Sequence, residues 1–304
     1  MLRFLILCGV AAAETAQQTS SICIDPPLQS HNATLNAVVE RASAKLAAPS
    51  LSWQNFMRGA NIADRAVAVV RVRDAPGPPV STLVYLTTAC TPCHLHYLRA
   101  CWPNALRRSV LAEADVLMYA GCRGTMGRAA SSWAHALATL PVNNATLALT
   151  RWNPGYQEGA MAAVMVAARR GWFDSYAWVV RANPDVRIED ASFLAARLRK
   201  PTVAAVLVRC RPRAPSMCTD FFAARPSAFN HSAWGRSRKK NGRINNELSA
   251  YNVFRAAIDG GTATVWNVER AYRTGRGRGC RVGGRGIYHD HALCRRPRIG
   301  AATA

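Results

Sequence analysis

The stretch from Tyr176 to Asp190 reads YAWVVRANPDVRIED, and the architecture of the whole chain turns on it. Ala177 to Val180 is an apolar run of the buried-strand kind. Asn183-Pro184-Asp185 ends it, because proline cannot donate to a ladder, and a carboxylate is left at the strand's carboxyl end. In open α/β sheets that edge is where ligands bind. A carboxylate there suits a divalent cation such as Mg²⁺ or Mn²⁺, which takes oxygen ligands and bridges to substrate phosphates. The same tripeptide also suits a plain turn, since Asx-Pro and Pro-Asp are common turn formers.

Upstream, Leu83-Val84-Tyr85-Leu86 reads as a short buried strand and His94 to Trp102 as a helix with Leu95, Leu98 and Trp102 on one face. Asp115 to Tyr119 reads as a second strand. Strand, helix, strand at this spacing is a βαβ unit with a parallel pair and a right-handed crossover. A third strand is expected at Thr146 to Thr150. A helix follows from Asn153-Pro154 to the stop at Gly171, with Met161, Val164, Met165 and Ala168 on its inner face. These Met positions and the chain's Trp residues read as core.

Before this core, Ala33 to Ala47 is helical in pattern and Val67 to Val72 fits an edge strand, closed by Ala75-Pro76-Gly77-Pro78-Pro79. Downstream, Ser192 to Lys200 reads as a helix and Val203 to Val208 as a strand. Asn246-Glu247 opens a helix with Leu248, Tyr251, Phe254 and Ile258 inward and Gly260 at its end, and Thr264 to Val268 is a last strand. Between them, Asn230 to Asn246 is polar and basic and reads as an exposed loop, either solvated surface or a lid for phosphate or glycan.

The chain has 304 residues, half of them hydrophobic, and a formal net charge of +22 concentrated from Arg197 onward. That is enough to bury a substantial core and excludes global disorder. The positive charge attracts polyanions. It is nearly all Arg and is spread through helices and strands, so nucleic acid is not the expected partner. Met1-Leu2-Arg3, an apolar run to Val10 and Ala11-Ala12-Ala13 form a secretory signal pattern. No segment reaches the roughly 20 apolar residues that span a bilayer.

The expected location is therefore the secretory-pathway lumen, Golgi or ER, or outside the cell. The sequons at Asn32, Asn144 and Asn230 are compatible with that route. The organisation expected is residues 1–13 signal, 14–80 lead and variable region, 81–294 catalytic domain and 295–304 tail. Of ten cysteines one leaves with the signal, so the remaining odd number leaves at least one thiol free or paired between chains. Cys90-Thr-Pro-Cys93-His94-Leu-His96 raises zinc as a question, yet no second pair follows at finger spacing and a disulfide is the simpler use. Cys280 with Cys294 is expected to close the Arg/Gly-rich loop Gly275 to Gly286, which otherwise reads as a nucleic-acid-binding tail.

Four segments in order, NPGYQEGAM, GWFDSYAWVVRANPDV, TDFFAARPSAF and CRVGGRGIYHDHALC, together resemble a family of secretory-pathway proteins from algae and fungi. That family looks like nucleotide-diphospho-sugar transferases of the GT-A fold. The resemblance spans about Leu83 to Cys294 and implies one Rossmann-like α/β domain with a mixed, mostly parallel sheet flanked by helices. It also implies a nucleoside-diphosphate sugar as donor, a glycan or glycoprotein acceptor, and a divalent metal, Mn²⁺ or Mg²⁺.

Asn183-Pro184-Asp185 takes the place of the Asp-x-Asp motif, with an amide where the first carboxylate stands. The resemblance assigns Asp185 to metal and diphosphate, Asn183 and Gln157 to the donor, and His289 or His291 to the metal shell. On a strand, His-x-His alternation points both imidazoles to one face. Asp220, in the segment that approaches sugar and acceptor, and Glu247 are the candidate catalytic acids, and Cys218 stands where the family commonly has His. As structural groups, Asp220 would satisfy backbone amides and Glu247 would favour its helix amino end. The sequence is also compatible with a non-catalytic luminal carbohydrate- or polyanion-binding protein that keeps the fold.

Overall fold

A computed structural model describes residues 33–46, 67–75, 80–107, 109–122, 126–150, 156–209, 215–234, 244–267 and 283–290. The signal-like segment, the basic loop from Gly235 to Arg243, the Cys280 and Cys294 pair and His291 lie outside the described residues. Ten strands are described: β1 Ala68–Asp74, β2 Thr82–Thr88, β3 Asp115–Gly121, β4 Asn144–Thr150, β5 Trp178–Ala182, β6 Val186–Ile188, β7 Ala205–Arg209, β8 Met217–Ala224, β9 Ala263–Asn267 and β10 Ile287–His289. The helices are α1 Ala33–Ala44, α2 Pro92–Ala100, α3 Trp102–Arg107, α4 Met126–Ala138, α5 Tyr156–Arg169, α6 Ser192–Leu198, α7 Asn246–Val253 and α8 Arg255–Asp259.

Eight strands form one sheet in the order β1-β4-β3-β2-β5-β8-β7-β9, and β10 pairs with β6 in a separate two-stranded ribbon. β4, β3, β2 and β5 run parallel, as do β7 and β9, whereas β1, β5 with β8, and β8 with β7 meet their neighbours antiparallel. The sheet is mixed and mostly parallel. The central strands β2 and β5 are buried along their whole length, which is why they read as unbroken apolar runs. β1, in the stretch that the sequence places before the catalytic domain, is the sheet's edge strand.

Two cores lie on the two faces of this sheet. One packs Val39, Leu98, Trp102, Trp133, Leu137 and Leu194, from α1, α2, α3, α4 and α6, against Val84, Val116 and Val180. The other packs Met161, Val164, Val253 and Ala257, from α5, α7 and α8, against Tyr85, Val179 and Phe222. The result is a three-layer sandwich with a side chain on each face at alternate strand positions.

Two local expectations change. Met161 to Ala167 of α5 are all buried, not one face alone, and the Tyr85 hydroxyl donates to the Ala163 carbonyl at 2.8 Å. The helix expected from Asn246 to Gly260 breaks at Phe254 (φ −103°, ψ 7°), so its buried positions are Ser249, Ala250, Val253, Phe254 and Ala257, with Leu248, Tyr251 and Ile258 only partly covered. Phe254 packs on Phe222 and Phe229, with ring centroids 5.1 and 5.2 Å apart, and those aromatic contacts fix the break.

The path of the chain sets the working edge. From β2 it steps outward to β3 and β4, then crosses back through α5 to the other side of β2 as β5. The carboxyl ends of β2 and β5 therefore flank a topological switch point, the crevice where open α/β sheets bind ligands.

Candidate active site

Thr87 and Thr88 end β2 at this crevice, and Asn183 and Asp185 follow β5. β8 brings Asp220 beside them, and the Asp220 carbonyl accepts from the Asn183 amide N–H at 3.0 Å. A bulge does the aiming. Between Leu207 and Arg209 β7 advances two residues, while its partner positions on β8 run from Phe222 to Met217, which displaces Cys218 to Asp220 from regular pairing.

The ribbon supplies the last member. β10 pairs Ile287 with Ile188 and His289 with Val186, and the Asp290 amide donates to the Asp185 carbonyl at 2.9 Å. The turn before it demands glycine. Gly286 has φ +76°, and a Cβ there would lie 2.4 Å from the Asp190 carbonyl oxygen. The Gly286 carbonyl in turn accepts from the amides of Glu189 and Asp190. This close approach of backbones seats His289.

His289 Nε2 lies 3.0 Å from Asp185 Oδ2, and its Nδ1 faces Asp220 Oδ2 at 3.1 Å as an ion pair. His94, from the first turn of α2, reaches the same Asp185 Oδ2 with Nε2 at 3.4 Å, while its Nδ1 sits 3.1 Å from Thr88 Oγ1. Asn183 Nδ2 donates to Asp220 Oδ1 at 3.1 Å. Beneath them Arg181 is fully buried, and its Nη2 donates to Thr87 Oγ1 at 2.6 Å and to Asn183 Oδ1 at 2.5 Å. The Cys218 thiol, the free cysteine among the described residues, lies 3.7 Å from Asp220 Oδ2.

Two carboxylates, an imidazole and a guanidinium thus share one buried volume, and their charges set each other. Burial works against the charged form of His289, but the carboxylates of Asp220 and Asp185 outweigh it and push the imidazole up to about 10. Burial likewise raises Asp220, and the charges of His289 and Arg181 hold it below the usual carboxylate value. Desolvation brings Arg181 down to about 10, with Asp220 opposing, so it stays charged at neutral pH. Burial, then Asp220, pushes the Cys218 thiol well above its ordinary range.

The donor set has the chemistry of a divalent-cation site. Ligands about 2.1 Å from an octahedral ion stand about 3.0 Å apart, the spacing found between Asp185 Oδ2 and His289 Nε2. A metal-bound imidazole usually has its second nitrogen held by a carboxylate, and Asp220 stands there. No group of three or more donors set to hold an ion is found among the described residues.

The structure therefore brings Asp185, Asn183, Asp220 and His289 together. Gln157 and Glu247 are half-buried in the first turns of α5 and α7, and no hydrogen bond joins either to the cluster. α7 packs on β8, the strand that carries Asp220. Arg181, Thr87 and Thr88 are site members that the sequence reading did not single out, and His94 was weighed there only with the cysteines, for zinc. The signal for His94 was its position just after a strand parallel to the one ending at Asp185.

The cysteines near His94 settle the zinc question for Cys90. It is disulfide-bonded to Cys122 with 5.1 Å between Cα atoms, and Cys93 and Cys101 are disulfide-bonded as well. Cys90 has φ 58°, an uncommon value for a residue with a Cβ, and the bridge fastens that turn to the end of β3.

No family model and no curated protein matches the chain. Among solved structures it is similar to a mannosyltransferase from Pyrobaculum calidifontis in complex with GDP-Man and Mn²⁺, at 15% identity and a TM-score of 0.40, over 79% of this chain and 71% of that one. It is also similar to a putative glucose-1-phosphate thymidylyltransferase from Bacillus anthracis, at 10% identity and a TM-score of 0.40, over 62% and 87% of the two chains. A third is mouse xyloside xylosyltransferase 1, at 10% identity and a TM-score of 0.39, over 71% and 99%.

Proposed function

We propose that the chain is a glycosyltransferase that takes a nucleoside-diphosphate sugar and passes the sugar to a glycan or glycoprotein acceptor in the secretory-pathway lumen. One observation carries the reading. A buried Asp185 stands at the sheet's switch point against His289, whose second nitrogen faces Asp220. Disulfide bonding at Cys90, Cys93, Cys101 and Cys122 supports an oxidising compartment.

In this reading Asp185 and His289 hold a divalent cation such as Mn²⁺, which supplies charge neutralisation for the leaving diphosphate. The chain's own part is positional. Asp220 keeps the ring of His289 facing Asp185, Thr88 turns His94 toward the same oxygen, and Arg181 adds to the charge of His289 that keeps Asp220 ionised. Asp220 has Oδ1 engaged by Asn183 and Oδ2 by His289, so it is an orienting group and a weak base. Glu247 is the better candidate to take the acceptor's proton in an inverting reaction.

A non-catalytic sugar- or polyanion-binding protein is the second reading, favoured by the amide at position 183. A thermal-shift panel of UDP, GDP and their sugars, with and without Mn²⁺, followed by assay of donor breakdown, separates the two. The transferase reading expects a rise in Tm that needs both nucleotide and Mn²⁺, lost in Asp185→Ala, and turnover of the same donor. A Tm rise without turnover on any acceptor points to the second reading. No rise with any nucleotide ends the first.

A further inference from the structure

Asn183 occupies the position at which a second carboxylate would be expected in a cation-binding pair, and its side chain is already committed on both sides. Arginine offers only donors and an ionised carboxylate only acceptors, so the amide has one possible orientation. Oδ1 faces Arg181 Nη2 at 2.5 Å and Nδ2 faces Asp220 Oδ1 at 3.1 Å. Asp220 in turn faces His289 Nδ1 through its other oxygen at 3.1 Å, and His289 Nε2 meets Asp185 at 3.0 Å. The order is therefore Arg181, Asn183, Asp220, His289, Asp185, each link of opposite polarity to the next.

The anchor of this line is fixed. Arg181 is fully buried, Thr87 Oγ1 shares its Nη2 at 2.6 Å, and among the described residues its Nε and Nη1 find no hydrogen-bond partner. A buried guanidinium with unused donors is costly to maintain unless its charge has a use. The carboxylates that act on it are Asp220, foremost, and Asp185. Asn183 stands between this cation and Asp220 and passes the alignment on without adding charge.

We propose that Asn183 is a connector and not a ligand: its amide couples the buried Arg181 to Asp220 and so fixes the ring of His289 against Asp185. An aspartate at this position would set a third carboxylate against Asp220 across the gap that Nδ2 now bridges. Two carboxylates at hydrogen-bond distance resist joint ionisation. Restoring the paired-carboxylate pattern therefore weakens the site. Arg181 is a positioning residue that acts through Asn183.

The test uses the full chain in four forms: wild type, Asn183→Asp, Asp220→Asn and the double variant, which exchanges amide and carboxylate. The exchange restores a hydrogen bond of reversed direction and sets the new carboxylate against Arg181. Urea midpoints are expected to fall in both single variants and to recover in the double by at least half of the summed loss. Mn²⁺ binding, read by the electron paramagnetic signal of the free ion, is expected to weaken tenfold or more in Asn183→Asp.

Additive losses in the double variant, or Asn183→Asp binding Mn²⁺ more tightly at unchanged stability, would overturn the connector role. The stability arm does not depend on the transferase reading. A wild type that binds no nucleoside diphosphate ends that reading and leaves the coupling between positions 183 and 220 to be decided by the urea cycle alone.

Discussion

The sheet carries an Asn–Asp pair at each of its two edges, and the two are nearly the same bond. At the amino edge Asn144 Nδ2 donates to Asp115 Oδ1 at 2.9 Å, with the Tyr176 hydroxyl on Asp115 Oδ2 at 3.0 Å. At the carboxyl edge Asn183 Nδ2 donates to Asp220 Oδ1 at 3.1 Å, with His289 on Asp220 Oδ2. Around Asp115 all three side chains are half-exposed, its two hydrogen-bond partners are neutral, and the cation that acts on it, Arg71, is exposed to solvent. Around Asp220 the carboxylate is buried with two cations and a second carboxylate. The same bond latches strands together in one place and sets charges in the other, and burial makes the difference.

The largest break in this comparison is Arg181→Met. It leaves two buried carboxylates with one cation and is expected to cost about 3–5 kcal/mol by urea unfolding, since uncompensated buried charge is among the costliest changes. A loss no greater than that of an amino-edge variant would show that the two pairs are energetically alike.

A pH series ranks next. In metal-free protein the raised value of His289 means that its stabilisation is complete below about 6.5, the ordinary histidine value, and is lost as pH rises through about 10. His289→Gln should flatten the decline in urea midpoint across that window. Burial, then Asp115, raises Tyr176, so its contribution is complete below its ordinary value and is lost only above about 10. Tyr176→Phe should leave the lower window as it is.

Gly286→Ala follows, at about 1–3 kcal/mol, from a positive φ and a Cβ driven into Asp190. Its specific mark is weaker Mn²⁺-assisted nucleotide binding, because the ribbon that seats His289 is displaced. Equal binding in Gly286→Ala and wild type would detach the ribbon from the site. The smallest effect is Tyr176→Phe near neutral pH, about 1 kcal/mol for one half-exposed hydrogen bond, with no change in binding.

Much of the frame was legible because it is local. Leu83 to Leu86, Asp115 to Tyr119 and Ala177 to Val180 are apolar runs between turn formers, and their spacing already gave the parallel βαβ order. The position of Asp185 followed from Pro184 alone. β6 and β10 were not legible, since three-residue strands have too short a period to register and their pairing joins segments about a hundred residues apart. The bulge in β8 was hidden as well, because Cys218 to Asp220 differ from a regular strand only in which neighbour they face. Arg181 was masked by its setting, a charge inside an apolar strand whose partners Thr87 and Asn183 come from elsewhere in the fold.

His289 and Asp185 are 104 residues apart in sequence, and the sheet contributes its last strand at Ala263–Asn267, before the ribbon is reached. During synthesis all eight strands can pair while the imidazole is still to arrive, and the entropy of closing so long a loop places its docking late. Completion of the cluster is thus a report on the whole chain. A polypeptide that stops short of Gly286 lacks the imidazole that stands between Asp185 and Asp220. The cleft acquires its balance of charge only when the far end of the protein has been made and seated.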